Sequence, residues 1–566
     1  MFGKYINDTE DPQKYKLWKP KIEAYRARLH AGIKDEFKLP DYLLPTPEEL
    51  EHGIDARALA AKALTGEEMD ITSSSATQLA RKIAKGELTA VEVFKAFAKT
   101  ATVAHQLTNC AMELFVEEGL QRASELDAYY AETGKTVGPL HGLPISLKEH
   151  YAFKGKIVHA GYVGKLDYVS DKNSAIVQAL YDQGAVFYVR TTEPQMLMHV
   201  CTNNNITGKC RNPCNTALSP GGSSSGEGVL AAMNGSAFGI GSDIGGSIRA
   251  PAAFCGAWGL RPSTKRISLT GVVGPYDDQA PDIVYPTLGP LARCAEDLDL
   301  CMKALIDLQP WQHDPLVLPI PWRDAPTPEP KNLKIAICYD DGVVKPTPPI
   351  LRALKVAKAK LEAAGVEVVE WKSKDVEKLV YTCYVAYNYD HNYGQKKRLA
   401  LSGEPVVHLS QKNFSFGKGD EQLTGLDVQR LISIRDEYRC IYMDLMNEMG
   451  IDYILSPTYV APASKPETIT YWGYTCLWNI LDFPNVVFPT GLRVQSEDQI
   501  DKSFVPRNEL EQYEYTLYSG PEDFINAPIC LQLTGRRYTD ENVVKAAKVL
   551  SSIMTAEQNT SERAML

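Results

Sequence analysis

Residues 215–262 hold only four charged side chains in 48 positions, Glu227, Asp243, Arg249 and Arg261, against 23% for the whole chain, and they are crowded with glycine and serine. A segment so poor in charge reads as buried, and its small residues let backbone approach backbone, or a ligand, closely. Within it, EGVLAAMN reads as a short helix closed by Gly235 in a left-handed position, and AFGIG as a short strand. Asp243-Ile244-Gly245-Gly246-Ser247-Ile248-Arg249 then turns into APAAF. Two serine runs, at Ser223 and Ser247, are thus 24 residues apart, with a helix and a strand between them to fold them back together.

The flanking chain supplies layers to bury this segment. Leu354, Ala357 and Leu361 recur at helical spacing, Gly365 stops that helix, and Val366, Val368 and Val369 read as a buried strand. Further apolar strand candidates are 143–147, 185–189, 334–338, 452–455, 485–488 and 529–533. Strands separated by helices imply an α/β layer fold. Residues 1–70 are charged and helix-prone and read as an appended arm. Seven prolines in 310–330 suit an extended surface connection between two halves, and the polar stretch 385–425 reads as a loop or lid.

Composition excludes several classes of function. With 60 Lys+Arg against 70 Asp+Glu the 566-residue chain carries a formal charge of −10, which offers no basic stripe for nucleic acid. No uninterrupted apolar run approaches the roughly 18 residues of a membrane span. The first residues have no apolar core of a secretory signal and the last, SERAML, carry no address, so a cytoplasmic location is expected. Twelve scattered cysteines suggest reduced thiols rather than a disulfide framework. Cys201, Cys210 and Cys214 with His199 invite a zinc reading, but they lack a CxxC pair, and no metal is expected.

Three chemistries compete for the glycine- and serine-rich segment. Gly239-Ile240-Gly241 with Gly245 resembles a dinucleotide fingerprint, which needs an acid about 20 residues on; after Asp243 the next acid is Asp277. Gly222-Ser223-Ser224-Ser225-Gly226 matches a hydrolase elbow centred on Ser224, but NPCNTALSP before it makes a poor strand, and nothing ties His313, His391 or His408 to it. The third reading is a serine nucleophile served by a second serine and a lysine, with the glycine pair before Ser247 freeing successive N–H groups to hold an oxyanion. The bland alternative is a pair of tight structural turns in a buried core.

The runs SPGGSSSGEG (219–228), DIGGSIRAPAAF (243–254) and PLHGLPISLKE (139–149) resemble the amidase signature family. HQLTNC (105–110), ILDFPNVVFP (480–489) and APICLQLTGRRYTDE (527–541) are similar to its fungal acetamidase branch. The resemblance implies a single large α/β/α sandwich around a mixed β-sheet over 71–560, preceded by the helical arm. It implies Lys148, Ser223 and Ser247 as the catalytic set: neutral Lys148 takes the proton of Ser247 through Ser223, and Ser247 forms an acyl-enzyme with a small or medium carboxamide. The N–H groups of Ile244, Gly245, Gly246 and Ser247 would hold the oxyanion. Asp243 and Arg249 would pair to support that loop, and Ser224 would orient Ser223 or cap the following helix.

No cofactor is implied, the partner is a small-molecule amide, and a homodimer is compatible. Acyl transfer, ester hydrolysis and a subunit of a transamidating complex are the alternatives at the same residues. Two positions depart from the family pattern, Ser225 in place of glycine and Glu149 in place of aspartate. His150 and His141 are near enough to Lys148 to compete as bases, although the lysine already fills that role. The aromatic stretches 276–286 and 471–478, with 385–425, are expected to wall the substrate pocket.

Overall fold

The computed structural model describes residues 8–275, 282–417 and 423–563. Among them, eleven strands form one sheet: β1 (Ala111–Leu114), β2 (Pro144–Lys148), β3 (Val186–Thr191), β4 (Phe238–Asp243), β5 (Trp258–Arg261), β6 (Thr287–Ala292), β7 (Lys334–Ile337), β8 (Glu367–Glu370), β9 (Tyr453–Ser456), β10 (Asn485–Arg493) and β11 (Pro528–Thr534). Their order is β1-β3-β2-β4-β6-β5-β10-β11-β9-β7-β8. β3, β2 and β4 run parallel, as do β9, β7 and β8, while the pairings between these two groups are antiparallel. The result is the expected α/β architecture around a large mixed sheet with a helical N-terminal region.

The first six strands make one half of the sheet and the last five the other, and the halves meet where β5 pairs with β10, Leu260 opposite Val486. Residues 310–330 connect them. That stretch holds no strand and is bracketed by short 3₁₀ turns at Pro310–Gln312 and Pro330–Asn332, and the buried Trp322 pins it by donating Nε1–H to Asp299 Oδ1 at 2.8 Å.

All six apolar strand candidates coincide with strands, and Leu354, Ala357 and Leu361 are buried on the helix Pro348–Ala363, with Gly365 at φ 88° after it. Two local expectations differ. β8 is an edge strand with β7 on one side, so Val368 and Val369 are half-buried and Glu367 and Glu370 exposed; charge on an edge discourages further strand pairing. The left-handed residue after the helix Ser225–Ala232 is Asn234 (φ 57°), which tolerates that region, while Gly235 is needed for space: a Cβ there would lie 2.8 Å from Leu230 Cδ2.

The N-terminal helices Pro12–Ala31, Pro47–His52, Ala56–Ala61 and Gly66–Ser73 lie against the body. Ile22, Tyr25 and Leu29 are buried, and the Asp11 N–H donates to the Gly403 carbonyl at 2.9 Å. Thr46 with Glu49 and Thr65 with Glu68 form reciprocal capping boxes, which explains why such polar sequence starts helices. No helix among the described residues is long and apolar enough to cross a membrane, and all twelve cysteines are free thiols.

The four charged residues of 215–262 are all buried, each with partners. Arg261, on β5, meets Asp482 at 2.8 Å in the turn before β10, and Asp482 also accepts from Thr264 N, Thr264 Oγ1 and Arg537 Nε. This carboxylate therefore ties the two halves of the sheet where they join. Replacing it strands a buried guanidinium, which costs about 3–5 kcal/mol. Asp482→Ala is expected to lower the thermal unfolding midpoint by several degrees, as read by calorimetry, whereas an unchanged midpoint would remove the tie from the account.

Candidate active site

β2 and β4 are parallel neighbours, so their C-terminal ends open on the same edge. Lys148 ends β2 and Asp243 ends β4. Ser223 reaches the same point from the segment before the helix Ser225–Ala232, across a cis Gly222–Ser223 peptide. Lys148 is fully buried; its Nζ donates to Ser223 Oγ at 2.7 Å and lies 3.0 Å from Ser242 Oγ. Burial pushes its pKa down to about 8, against the opposing pull of Glu193, Asp243 and Glu227. Ser242 is the partner that sequence reading missed: it directly precedes Asp243, and the alternating faces of a strand are the signal that sets it apart.

The loop after β4 is held from behind. Asp243 Oδ1 accepts from Gly246 N at 2.9 Å and Oδ2 from Ile248 N at 3.1 Å, while Arg249 donates to both oxygens and Asn479 Nδ2 to Oδ1. Arg249 continues to the Thr475 carbonyl and to Asn485 and Asn479. The Arg249 charge and these hydrogen bonds hold the Asp243 carboxyl far below the usual carboxylate range in spite of its burial. Gly246 has φ 131°, and a Cβ there would sit 2.4 Å from Thr475 Oγ1. Of the four N–H groups expected to face an oxyanion, that of Gly246 is committed to Asp243. Those of Ile244, Gly245 and Ser247 make no hydrogen bond among the described residues.

Ser223, 2% exposed, and Ser247, 8% exposed, line the same cavity of about 670 Å³, and the Ser224 N–H donates to the Ser247 carbonyl at 3.1 Å. The wall differs from expectation. Of the three stretches expected to form it, the described residues contribute Tyr285, Pro286 and Arg398; Tyr276–Pro281 and residues 418–422 lie outside the described residues. Trp472 packs instead behind the loop with Tyr384, Tyr387 and Phe416. The apolar wall comes from Leu197, Met198, Ile267, Leu269, Val272 and Leu288, residues from separate loops and strands that carry no local pattern.

Ser224 occupies the cap position of the helix Ser225–Ala232, yet its hydroxyl bonds the Ser242 backbone rather than the helix N–H groups. Ser225 fits where glycine was expected by bonding the Gly221 carbonyl at 2.6 Å and the Thr202 hydroxyl. Glu149 accepts from His159 N, Ala160 N and Arg190. Next to it the buried Glu193 receives no hydrogen bond at either oxygen among the described residues, and burial together with the neighbouring Glu149 charge drives its pKa well up.

Of the competing bases, His141 is occupied by the Val137 N–H, away from the cavity. His150 lines the cavity and bonds the Val273 carbonyl, but burial and Lys148 push its pKa down to about 3, too low for a base that must later protonate an amine. Among the described residues, Glu149, His159 and Glu193 are the one His/Cys/Asp/Glu group with ligand atoms within 4.8 Å of one another, so Cys201, Cys210, Cys214 and His199 do not converge. In that group His159 Nδ1 already accepts the Gly161 N–H, and Arg190 already covers Glu149.

The family model described as amidase matches residues 92–544. Acetamidases of Aspergillus oryzae and Emericella nidulans are 34% and 36% identical to this chain, each over 95% of it and 99% of their own length. A solved structure described as a fatty acid amide hydrolase is 46% identical with a TM-score of 0.93 and covers 97% of both chains.

Gly246→Ala is expected to cut amide hydrolysis by at least 100-fold while far-UV circular dichroism stays unchanged, because the added methyl drives the loop off Thr475 without opening the sheet. Activity within a few-fold of wild type would show that the loop conformation does not matter.

Proposed function

The chain belongs to the amidase family, and we propose that it hydrolyses carboxamides bearing an apolar acyl group through an acyl-enzyme on Ser247. The observation that carries this reading is the 2.7 Å contact from Lys148 Nζ to Ser223 Oγ, made by a lysine with no exposed surface and no ion pair among the described residues.

An amide resists attack through its resonance and loses its nitrogen only after protonation, so the reaction needs a base that becomes an acid. Neutral Lys148 takes the proton of Ser223 as Ser223 takes that of Ser247, and Ser247 Oγ attacks the carbonyl carbon. The negative charge that develops on the carbonyl oxygen is met by the free N–H groups of Ile244, Gly245 and Ser247. The proton returns through Ser223 to the departing amine, the C–N bond breaks, and water then cleaves the ester by the same relay. With a pKa of about 8, about a tenth of Lys148 is neutral at pH 7 and nine tenths at pH 9.

The acyl group is read from the cavity. A volume of about 670 Å³, whose lining includes leucine, isoleucine, valine and methionine beside polar side chains such as Lys265, Asp314 and Arg398, is much larger than an acetyl group fills. The relatives' names span both ends of this range, acetamidase and fatty acid amide hydrolase. Each methylene buried contributes about 0.8 kcal/mol.

Three measurements test the reading. Across a series of straight-chain amides kcat/KM is expected to rise about threefold to fourfold per added methylene until the cavity is filled; a maximum at acetamide would reverse the substrate assignment. The active form is deprotonated, so kcat/KM is expected to climb about tenfold from pH 7 to pH 9 and to fall as pH drops through 8. Lys148→Ala is expected to remove that limb and most of the amide rate; retention of both would sink the mechanism.

A further inference from the structure

Three carbonyls of the loop that carries Ser247 are held from outside the cavity. The hydroxyl of Tyr387, at the end of the helix Val376–Tyr387, donates to the Ile244 carbonyl at 2.7 Å. Thr475 Oγ1, on the helix Gly473–Leu481, lies 2.6 Å from the Gly245 carbonyl oxygen, and the Ala250 N–H donates to the Gly246 carbonyl at 2.8 Å. In a trans peptide the C=O and N–H point in opposite directions, and the Gly222–Ser223 bond is the one cis peptide among the described residues. A carbonyl held by an anchor therefore turns the N–H of the next residue away from that anchor, and where that N–H ends depends on what lies on the opposite side of the peptide plane.

The three anchors have different consequences. The Gly245–Gly246 peptide is fixed at both ends, by Thr475 and by Asp243, and contributes nothing to the cavity. The Gly246–Ser247 peptide is fixed by the turn into the next helix. The Ile244–Gly245 peptide has a single anchor among the described residues, the Tyr387 hydroxyl, and its N–H is one of the three left free. Gly245 packs closely against it, since a Cβ there would meet Tyr387 Oη at 3.1 Å and Trp472 Cε3 at 3.3 Å. Tyr387 is buried, and its ring leans on Trp472 with centroids 6.0 Å apart.

We propose that Tyr387 is a positioning residue of the amidase reaction: by holding the Ile244 carbonyl it turns the Gly245 N–H toward the oxygen that becomes negative when Ser247 attacks. This rests on the reading of Ser247 as nucleophile given above. Tyr387 is not among the residues that line the cavity, so it acts on the reaction through one peptide plane. Its effect is selective for the tetrahedral state, because a donor aimed at a developing charge gains most when the charge is full.

The test compares wild type with Tyr387→Phe, which keeps the ring and deletes the anchor, using the p-nitroanilide of a medium-chain fatty acid. Two ketones of the same chain length serve as probes: a trifluoromethyl ketone, which adds a serine to give an oxyanion, and a methyl ketone, which binds without adding. Tyr387→Phe is expected to lower kcat about tenfold with KM within twofold, and to weaken the trifluoromethyl ketone by the same factor while the methyl ketone is unaffected. Trp472→Phe trims the packing on the Tyr387 ring but leaves the hydroxyl in place, so it is expected to keep the ratio of the two inhibition constants at the wild-type value.

An unchanged kcat and ratio in Tyr387→Phe, a loss confined to KM, or an equal fall of the ratio in Trp472→Phe would overturn the proposal. Ser247→Ala separates the two levels. If it retains turnover, the nucleophile assignment fails. If it is inactive while Tyr387→Phe behaves as wild type, the positioning role alone fails.

Discussion

A lysine ammonium placed where no water reaches it is unstable unless a counter-charge meets it, and Lys148 is met by two serine hydroxyls instead. The chemistry depends on that contact staying free of nearby negative charge. Three carboxyls come close enough to favour the charged lysine, and the structure blunts each one differently. The charge of Asp243 is spent on Arg249 at 3.0 Å. Glu227, bonded by Ser146 and Thr191, has its pKa pushed up to about 7 by burial. Glu193 is driven up by burial and by the neighbouring charge of Glu149. A buried lysine beside three acids thereby keeps a pKa low enough to act as a base near neutral pH.

The same economy of charge shapes the loop carrying Ser247. Asp243 is an acceptor for two backbone N–H groups as well as a counter-ion, so one carboxylate both neutralises Arg249 and fixes the turn. Arg249 reaches Asn479, Thr475 and Asn485, which belong to the helix Gly473–Leu481 and to β10 in the other half of the sheet. The site therefore stands on the junction of the two halves. Its lysine and serines come from the first half and the clamp on its loop from the second.

Much of this was legible in sequence, because short-range patterns carry it. The charge-poor run announced a buried segment, the alternation of apolar runs placed β2, β3, β7, β9, β10 and β11, and the SPGGSSSGEG and DIGGSIRAPAAF runs put Ser223 and Ser247 at the two ends of a helix and a strand that fold them back together. What stayed hidden depends on contacts between distant residues. Tyr387 and Thr475 lie 143 and 230 residues from the carbonyls they face, inside aromatic stretches whose local pattern is that of any packed helix. The commitment of the Gly246 N–H to Asp243 could not be read either: a glycine pair shows that N–H groups are accessible and not which way each points. The half-exposed β8 was misjudged because valine runs look alike in a central strand and at an edge.

The central claim is that the substrate carbonyl becomes bonded to Ser247, activated by a neutral Lys148 through Ser223. Rapid acid quench of a turnover mixture with a p-nitrophenyl ester of a medium-chain acid, whose acylation is fast, followed by peptide mass mapping, tests it most directly. The account predicts one acyl group per chain on the peptide containing Ser247, at a level that falls as the pH is lowered through 8. An acyl group on Ser223 or on any other residue, or turnover with no covalent species at any pH, would contradict it.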